Sequence, residues 1–138
     1  ASPRRNVVGW DSSRLAMLTA VLEARCGVPL SGRDIFLNVA GGLKIAETAA
    51  DLAVAAALIS SVTGRPAPPR CVFFGEVALS AELRQVAQAD ARLKEAAKLG
   101  FDMAVMPRPR KKLAAPTGLS LGQPATLAEL IEIMGGVS

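Results

Sequence analysis

The 138-residue sequence contains no histidine and no tyrosine. Without an imidazole, this chain alone cannot assemble a Ser-His-Asp or Cys-His nucleophile pair, a His-ligated zinc or an imidazole proton shuttle. Aromatic residues are scarce too, with four Phe and one Trp. The core must therefore be built from Leu, Val, Ile and Ala, and a row of exposed rings on which successive bases stack is excluded. Only two cysteines occur, Cys26 and Cys71, far apart and without metal-ligand spacing. They read as two buried thiols of a reduced, cytoplasmic protein, and no metal site is expected. Neither a Walker A segment nor a G-x-G-x-x-G is present, so the usual glycine-rich phosphate cradles are missing. The apolar run Leu52 to Ile59 is far shorter than the roughly 20 residues that a bilayer crossing needs. No signal peptide is visible, and no membrane partner is expected.

Half of the residues are hydrophobic (51%), and the whole of 1–138 fits one domain. At this size about two-thirds of the unfolded surface can be buried. The net charge is +4, from sixteen Lys and Arg against twelve Asp and Glu. Nine of the sixteen lie from Arg70 onward, a bias that permits an anionic partner without proving one.

The organising stretch is 41–64, GGLKIAETAADLAVAAALISSVTG. It reads as a turn in which Gly41 and Gly42 take positive φ, a short extended run, and a helix. Thr48 and Asp51 have the spacing of a capping box, and Gly64 and Pro66 supply the stop. Because 52–59 is apolar without a break, this helix is expected to be buried on every side. Upstream, 1–10 reads as a solvated N-terminal arm, followed by an amphipathic helix over 12–26 with Leu15, Leu18, Val21, Leu22 and Cys26 inward. A strand is expected over 34–40, with 43–46 as its hairpin partner. Downstream come a strand at 71–74, extended structure around a turn at 75–83, a helix over 90–99 and a strand at 104–106. The loop 107–124 carries Arg108, Arg110, Lys111 and Lys112. A second capping box, Thr126 with Glu129, opens a last helix that ends near Gly135. Helices alternating with short strands predict an α/β sandwich.

The stretches GGLKIAETAADLAVAAALISSVTGRP and FGEVALSAELRQVAQADARLKEAAKLGF, preceded by PRRNVVGWDSSRLAMLTAVLEARCGVPL and DIFLNVAGG, resemble the Lon-protease-like C-terminal domain of the bacterial RadA (Sms) recombination proteins. The resemblance runs from about residue 3 to residue 107, and the order and spacing of the motifs carry it more than any one motif. It implies a Lon proteolytic-domain-like α/β sandwich of short mixed strands with about four helices. In active Lon domains a Gly-Pro-Ser-Ala-Gly segment opens the central helix, its Ser is the nucleophile, and a Lys on a later helix activates it. The resemblance sets Ala49 at the nucleophile position and Ala91 or Arg92 at the lysine position. A methyl group cannot attack a carbonyl, and an Arg stays protonated. Ser60 and Ser61 lie at the far end of the helix, and Lys94 has no serine to activate. No catalytic residue is therefore expected.

The resemblance further implies that ATP and zinc belong to N-terminal parts outside this stretch, which reads as a fragment needing no cofactor of its own. It implies a homo-hexameric ring, contact with single-stranded or branched DNA, and branch migration during recombination. The DNA-contact candidates are Lys44, Arg84, Arg92, Lys94, Arg108, Arg110, Lys111 and Lys112. The four in the loop could follow a phosphate backbone or simply solubilise it. Arg84, Arg92, Lys94 and, more weakly, Lys98 are expected around the lost proteolytic site. An alternative is the Lon-like assembly domain of another AAA+ protein of the magnesium-chelatase-related competence family, against which the PRR-x-x-x-G-x-D-x-x-R-L opening argues. An active Ser-Lys peptidase is the third reading, which Ala49 opposes.

Overall fold

A computed structural model describes residues 2–136. The first regular element is a strand, β1 (Arg5–Val8), where a solvated arm was expected. It pairs in parallel with β2 (Ile35–Asn38), in a register that sets Arg5 against Ile35 and Val8 against Asn38. Asp34 clamps the start of this pair by accepting the Arg4 amide at 2.7 Å. Val7 and Leu37 pack on the core, which is why the segment does not remain in solvent.

Between the two strands runs α1 (Ser12–Cys26), capped by Asp11, whose carboxylate accepts the Ser13 amide at 2.9 Å. Its inward stripe is the expected one: Leu15, Leu18, Val21 and Leu22 are buried and Cys26 is half-buried. After β2 the chain does not return as a hairpin. Residues Ala40–Gly42 form a 3-10 turn with Gly41 and Gly42 at positive φ. The following stretch is irregular, held where the Ile45 amide donates to the Gly9 carbonyl at 2.8 Å.

A second 3-10 turn, Thr48–Ala50, leads into α2 (Asp51–Thr63). The capping box expected of Thr48 and Asp51 does not form, and neither Glu47 nor Ala50, the residues flanking the turn, caps through its side chain. Asp51 instead turns inward. The helix is central, with Leu52, Ala55, Ala56, Leu58 and Ile59 buried, yet Ala53, Ala57 and Ser61 form an exposed stripe one turn apart. An alanine-rich helix looks apolar all round in sequence, but its methyls cost little to leave in water.

Three parallel strands form the second sheet in the order β3 (Cys71–Phe73), β6 (Met103–Val105) and β7 (Ser120–Gly122). The third of these lies inside the stretch expected to be loop, 107–124, and a Cβ at Gly122 would stand 3.0 Å from the Met103 methyl. Between β3 and β6 lie a short antiparallel pair, β4 (Glu76–Val77) with β5 (Leu83–Arg84), and α3 (Ala89–Lys98). The final helix is α4 (Leu127–Ile133), where the Thr126 hydroxyl accepts the Glu129 amide at 3.2 Å.

Side-chain alternation along the three-stranded sheet divides the interior in two. Cys71, Phe73, Met103 and Val105 face the main core beside α1, α2 and α4. Val72, Phe74, Ala104, Met106 and Leu121 face a smaller core under α3, with Leu93 and Ala96. The architecture is the expected α/β one, four helices with short strands in small sheets.

Candidate functional site

The foot of α2 is locked to the end of β3 by two backbone bonds. The Gly75 amide donates to the Ala49 carbonyl at 2.9 Å, and the Leu52 amide donates to the Gly75 carbonyl at 3.1 Å. Only glycine fits this junction, because a Cβ at position 75 would lie 2.7 Å from the Pro107 ring. The lock fixes Ala49, buried to 4% exposure, at the edge of a groove of about 600 Å³ between α2 and α3.

The groove brings together the positions that the Lon resemblance singles out. Ala49 and Ala53 line one wall, and Ala91 and Arg92 line the other. Phe73, Phe74 and Phe101 make the rest largely apolar. No serine and no lysine is among its lining residues. Arg92 is already engaged: its Nη1 meets Glu47 at 3.1 Å, its Nε donates to the Ala87 carbonyl at 3.0 Å, and its guanidinium lies 5.8 Å from the Phe74 ring centre. Glu47 and Glu95 leave the rim partly acidic.

Behind the groove sits a pair that sequence reasoning missed. Asp51 is fully buried, and its carboxylate accepts Arg14 Nε at 2.7 Å, Arg14 Nη2, and the Val77 amide at 3.0 Å. One carboxylate thus ties α1, α2 and β4 together through a fork that only an arginine supplies. The Arg14 pKa is raised above its ordinary value, chiefly by the hydrogen bond to Asp51, against a partial burial that works the other way. The available signal was an acidic residue heading an otherwise apolar helix, a placement that burial permits only with a partner. Burial also raises the pKa of the Cys26 and Cys71 thiols, so neither is an activated nucleophile.

The cationic candidates do not converge on one spot. Arg92 alone lines the groove; Lys44 is exposed on the loop that leads to it, beside the lining residue Ile45. Arg84 lies in a separate hollow with Arg14, Glu76 and Leu79, away from the groove at Ala49 around which the resemblance set it. Lys94 and Lys98 are exposed on α3. Arg108 pairs with Glu129 at 3.3 Å. Arg110 and Lys111 edge a smaller hollow of about 310 Å³, and Lys112 is exposed beside them. Among the described residues, Lys44, Arg84, Lys94, Arg110, Lys111 and Lys112 make no salt bridge.

Residues 11–110 match the ChlI family, described as subunit ChlI of Mg-chelatase. The chain belongs to the ChlI family. It is also similar to curated proteins named DNA repair protein RadA. The identity is 53% over 130 residues with that of Brucella abortus, covering 94% of this chain and 28% of the relative. It is 50% over 121 residues with that of Pseudomonas aeruginosa, covering 88% and 27%. With that of Rickettsia felis it is 56% over 101 residues, covering 73% and 23%. The chain thus spans about a quarter of the length of these relatives. The RadA likeness read from its motifs is borne out. The ChlI description carries the magnesium-chelatase name of the alternative reading, whereas these half-identical relatives carry the name RadA. No helix among the described residues is long and apolar enough to cross a membrane.

Proposed function

We propose that this ChlI-family chain serves a RadA-type DNA repair protein as a non-proteolytic Lon-like module that supports assembly and contacts DNA without reading sequence. The observation that carries the first half is the groove at the foot of α2, where Ala49 faces Ala91 and Arg92 and no hydroxyl or amine is present to open an acyl-transfer reaction. The observation behind the second is the set of exposed cations without acidic partners, three of them consecutive at Arg110, Lys111 and Lys112. Cations spaced along a surface loop meet phosphates one by one and release counterions as they do.

On this reading ATP hydrolysis and zinc binding belong to regions that the relatives have beyond the matched quarter. The module's own partners are single-stranded or branched DNA and further copies of itself in a homo-hexameric, cytoplasmic assembly that drives branch migration. The test is binding of a fluorescent single-stranded oligonucleotide to the chain and to Arg110→Ala/Lys111→Ala/Lys112→Ala, alongside casein digestion. The reading expects binding that weakens in the triple variant, and no cleavage. Unchanged binding would take the loop out of the interface, and casein cleavage would end the non-proteolytic reading.

A further inference from the structure

The hollow beneath the basic loop is built differently from the larger groove. Phe74, Val86, Met106, Pro107 and Leu113 give it an apolar floor, and Ala89, the first residue of α3, closes one side. Arg110 and Lys111 stand on its rim, and no carboxylate lines it. The loop is pinned over it where Gln85 Nε2 donates to the Arg108 carbonyl at 3.1 Å. Among the described residues no donor engages the amide oxygen of Gln85, which is left as an acceptor at the same rim. Its volume of about 310 Å³ lies at the lower end of small-molecule sites, which run roughly 300–1,000 Å³.

An apolar hollow of this volume, with a hydrogen-bond acceptor at its edge and two cations outside it, suits a nucleobase still attached to its phosphates. We infer that this hollow receives one unpaired base of a DNA single strand, with Arg110 and Lys111 holding the flanking phosphates. The inference rests on the DNA-contact reading above and deepens it: a base can enter only from a strand that is not paired, so the loop distinguishes single-stranded or branched DNA from plain duplex. It does not need the row of exposed rings that the composition excludes, because one base is inserted into a hollow floored by Phe74 and aliphatic side chains instead of successive bases stacking along a surface. The larger groove is less suited to the same ligand, since its Arg92 is already paired with Glu47 and its Glu95, unpaired among the described residues, adds a negative charge.

The experiment compares three ligands on the 138-residue chain: a thymine oligonucleotide, a chain of abasic sugar-phosphates of equal length and charge, and dTMP. The expected result is roughly tenfold tighter binding of the thymine strand than of the abasic one. Ala89→Leu, which fills the slot and leaves every charge in place, is expected to remove that difference while abasic binding is kept. Equal affinity of the parent chain for both strands, with binding that still depends on the loop, would overturn the base slot and leave the DNA-contact reading standing. Loss of all strand binding would overturn both. Binding of dTMP as tight as that of the oligonucleotide would assign the slot to a free nucleotide and overturn the strand assignment. The parent comparison needs no variant, so a misfolded Ala89→Leu does not block the test.

Discussion

Cutting the Arg14–Asp51 pair from either side should have unequal consequences. Asp51 is fully buried, whereas the Arg14 side chain keeps 27% exposure. Arg14→Met strands a carboxylate in the interior with only the Val77 amide as partner. The cost expected for removing one member of a buried pair is about 3–5 kcal/mol, and this variant should fall at the upper part of that range. Asp51→Leu leaves a guanidinium that can swing toward water, but it also orphans the buried Val77 amide. That side should cost about 3 kcal/mol. The double variant removes both charges, so it should be more stable than Arg14→Met alone, which requires a double-mutant-cycle coupling of at least about 3 kcal/mol, the cost of Asp51→Leu. Urea denaturation followed by circular dichroism reads each value, provided that the urea slope stays constant across the set. Arg14→Met costing less than about 1 kcal/mol, or a double variant weaker than both singles, would refute the view that this pair locks α1 to the foot of α2.

Three further outcomes follow from local geometry. Gly75→Ala drives a methyl into the Pro107 ring and should cost about 1–3 kcal/mol or more in the same denaturation assay; a neutral result would mean the junction can open freely. Thr126→Ala should cost about 1 kcal/mol by removing a formed cap, whereas Thr48→Ala, which removes none, should stay within about 0.5 kcal/mol. Glu23 has a pKa lowered first by the Ser31 hydroxyl and then by the Ser31 amide. A carboxyl lowered on folding adds stability above its unfolded value of 4.5 and loses it as the pH falls through the folded value. Glu23→Gln should therefore be less stable than the parent at neutral pH and converge with it in acid. A gap that is constant with pH would rule that linkage out.

Long periodic signals were readable in the sequence and short or non-local ones were not. The stripe of α1, the unbroken apolar run 71–74 and the Thr126 cap all rest on residues within one or two turns of each other, and all are present. β1 and β7 span only four and three residues, too few for a period to show, and each exists because a neighbouring strand supplies its hydrogen bonds. The Thr48 and Thr126 boxes share one spacing but had different fates. Glu129 is free to reach back to the Ala125 amide at 2.6 Å, while Asp51 is claimed by Arg14, 37 positions away. No local pattern reveals such a competitor. For the candidate site, Ala49 and Ala91/Arg92 were brought into one groove as the resemblance implied, because that mapping depends on fold and not on propensity. The scatter of the cations was not readable, since it depends on which ones meet Glu47 and Glu129 in three dimensions.

Under the proposed function this module holds DNA through phosphate contacts of its basic loop, and the salt dependence of binding is the sharpest check on those contacts. For the parent chain on single-stranded DNA, the logarithm of the association constant should fall linearly with the logarithm of salt concentration. For Arg110→Ala/Lys111→Ala/Lys112→Ala the slope should be shallower by about 2, at about 0.7 for each lost contact. Identical slopes for the two proteins would contradict the claim, and so would a parent affinity that does not change with salt.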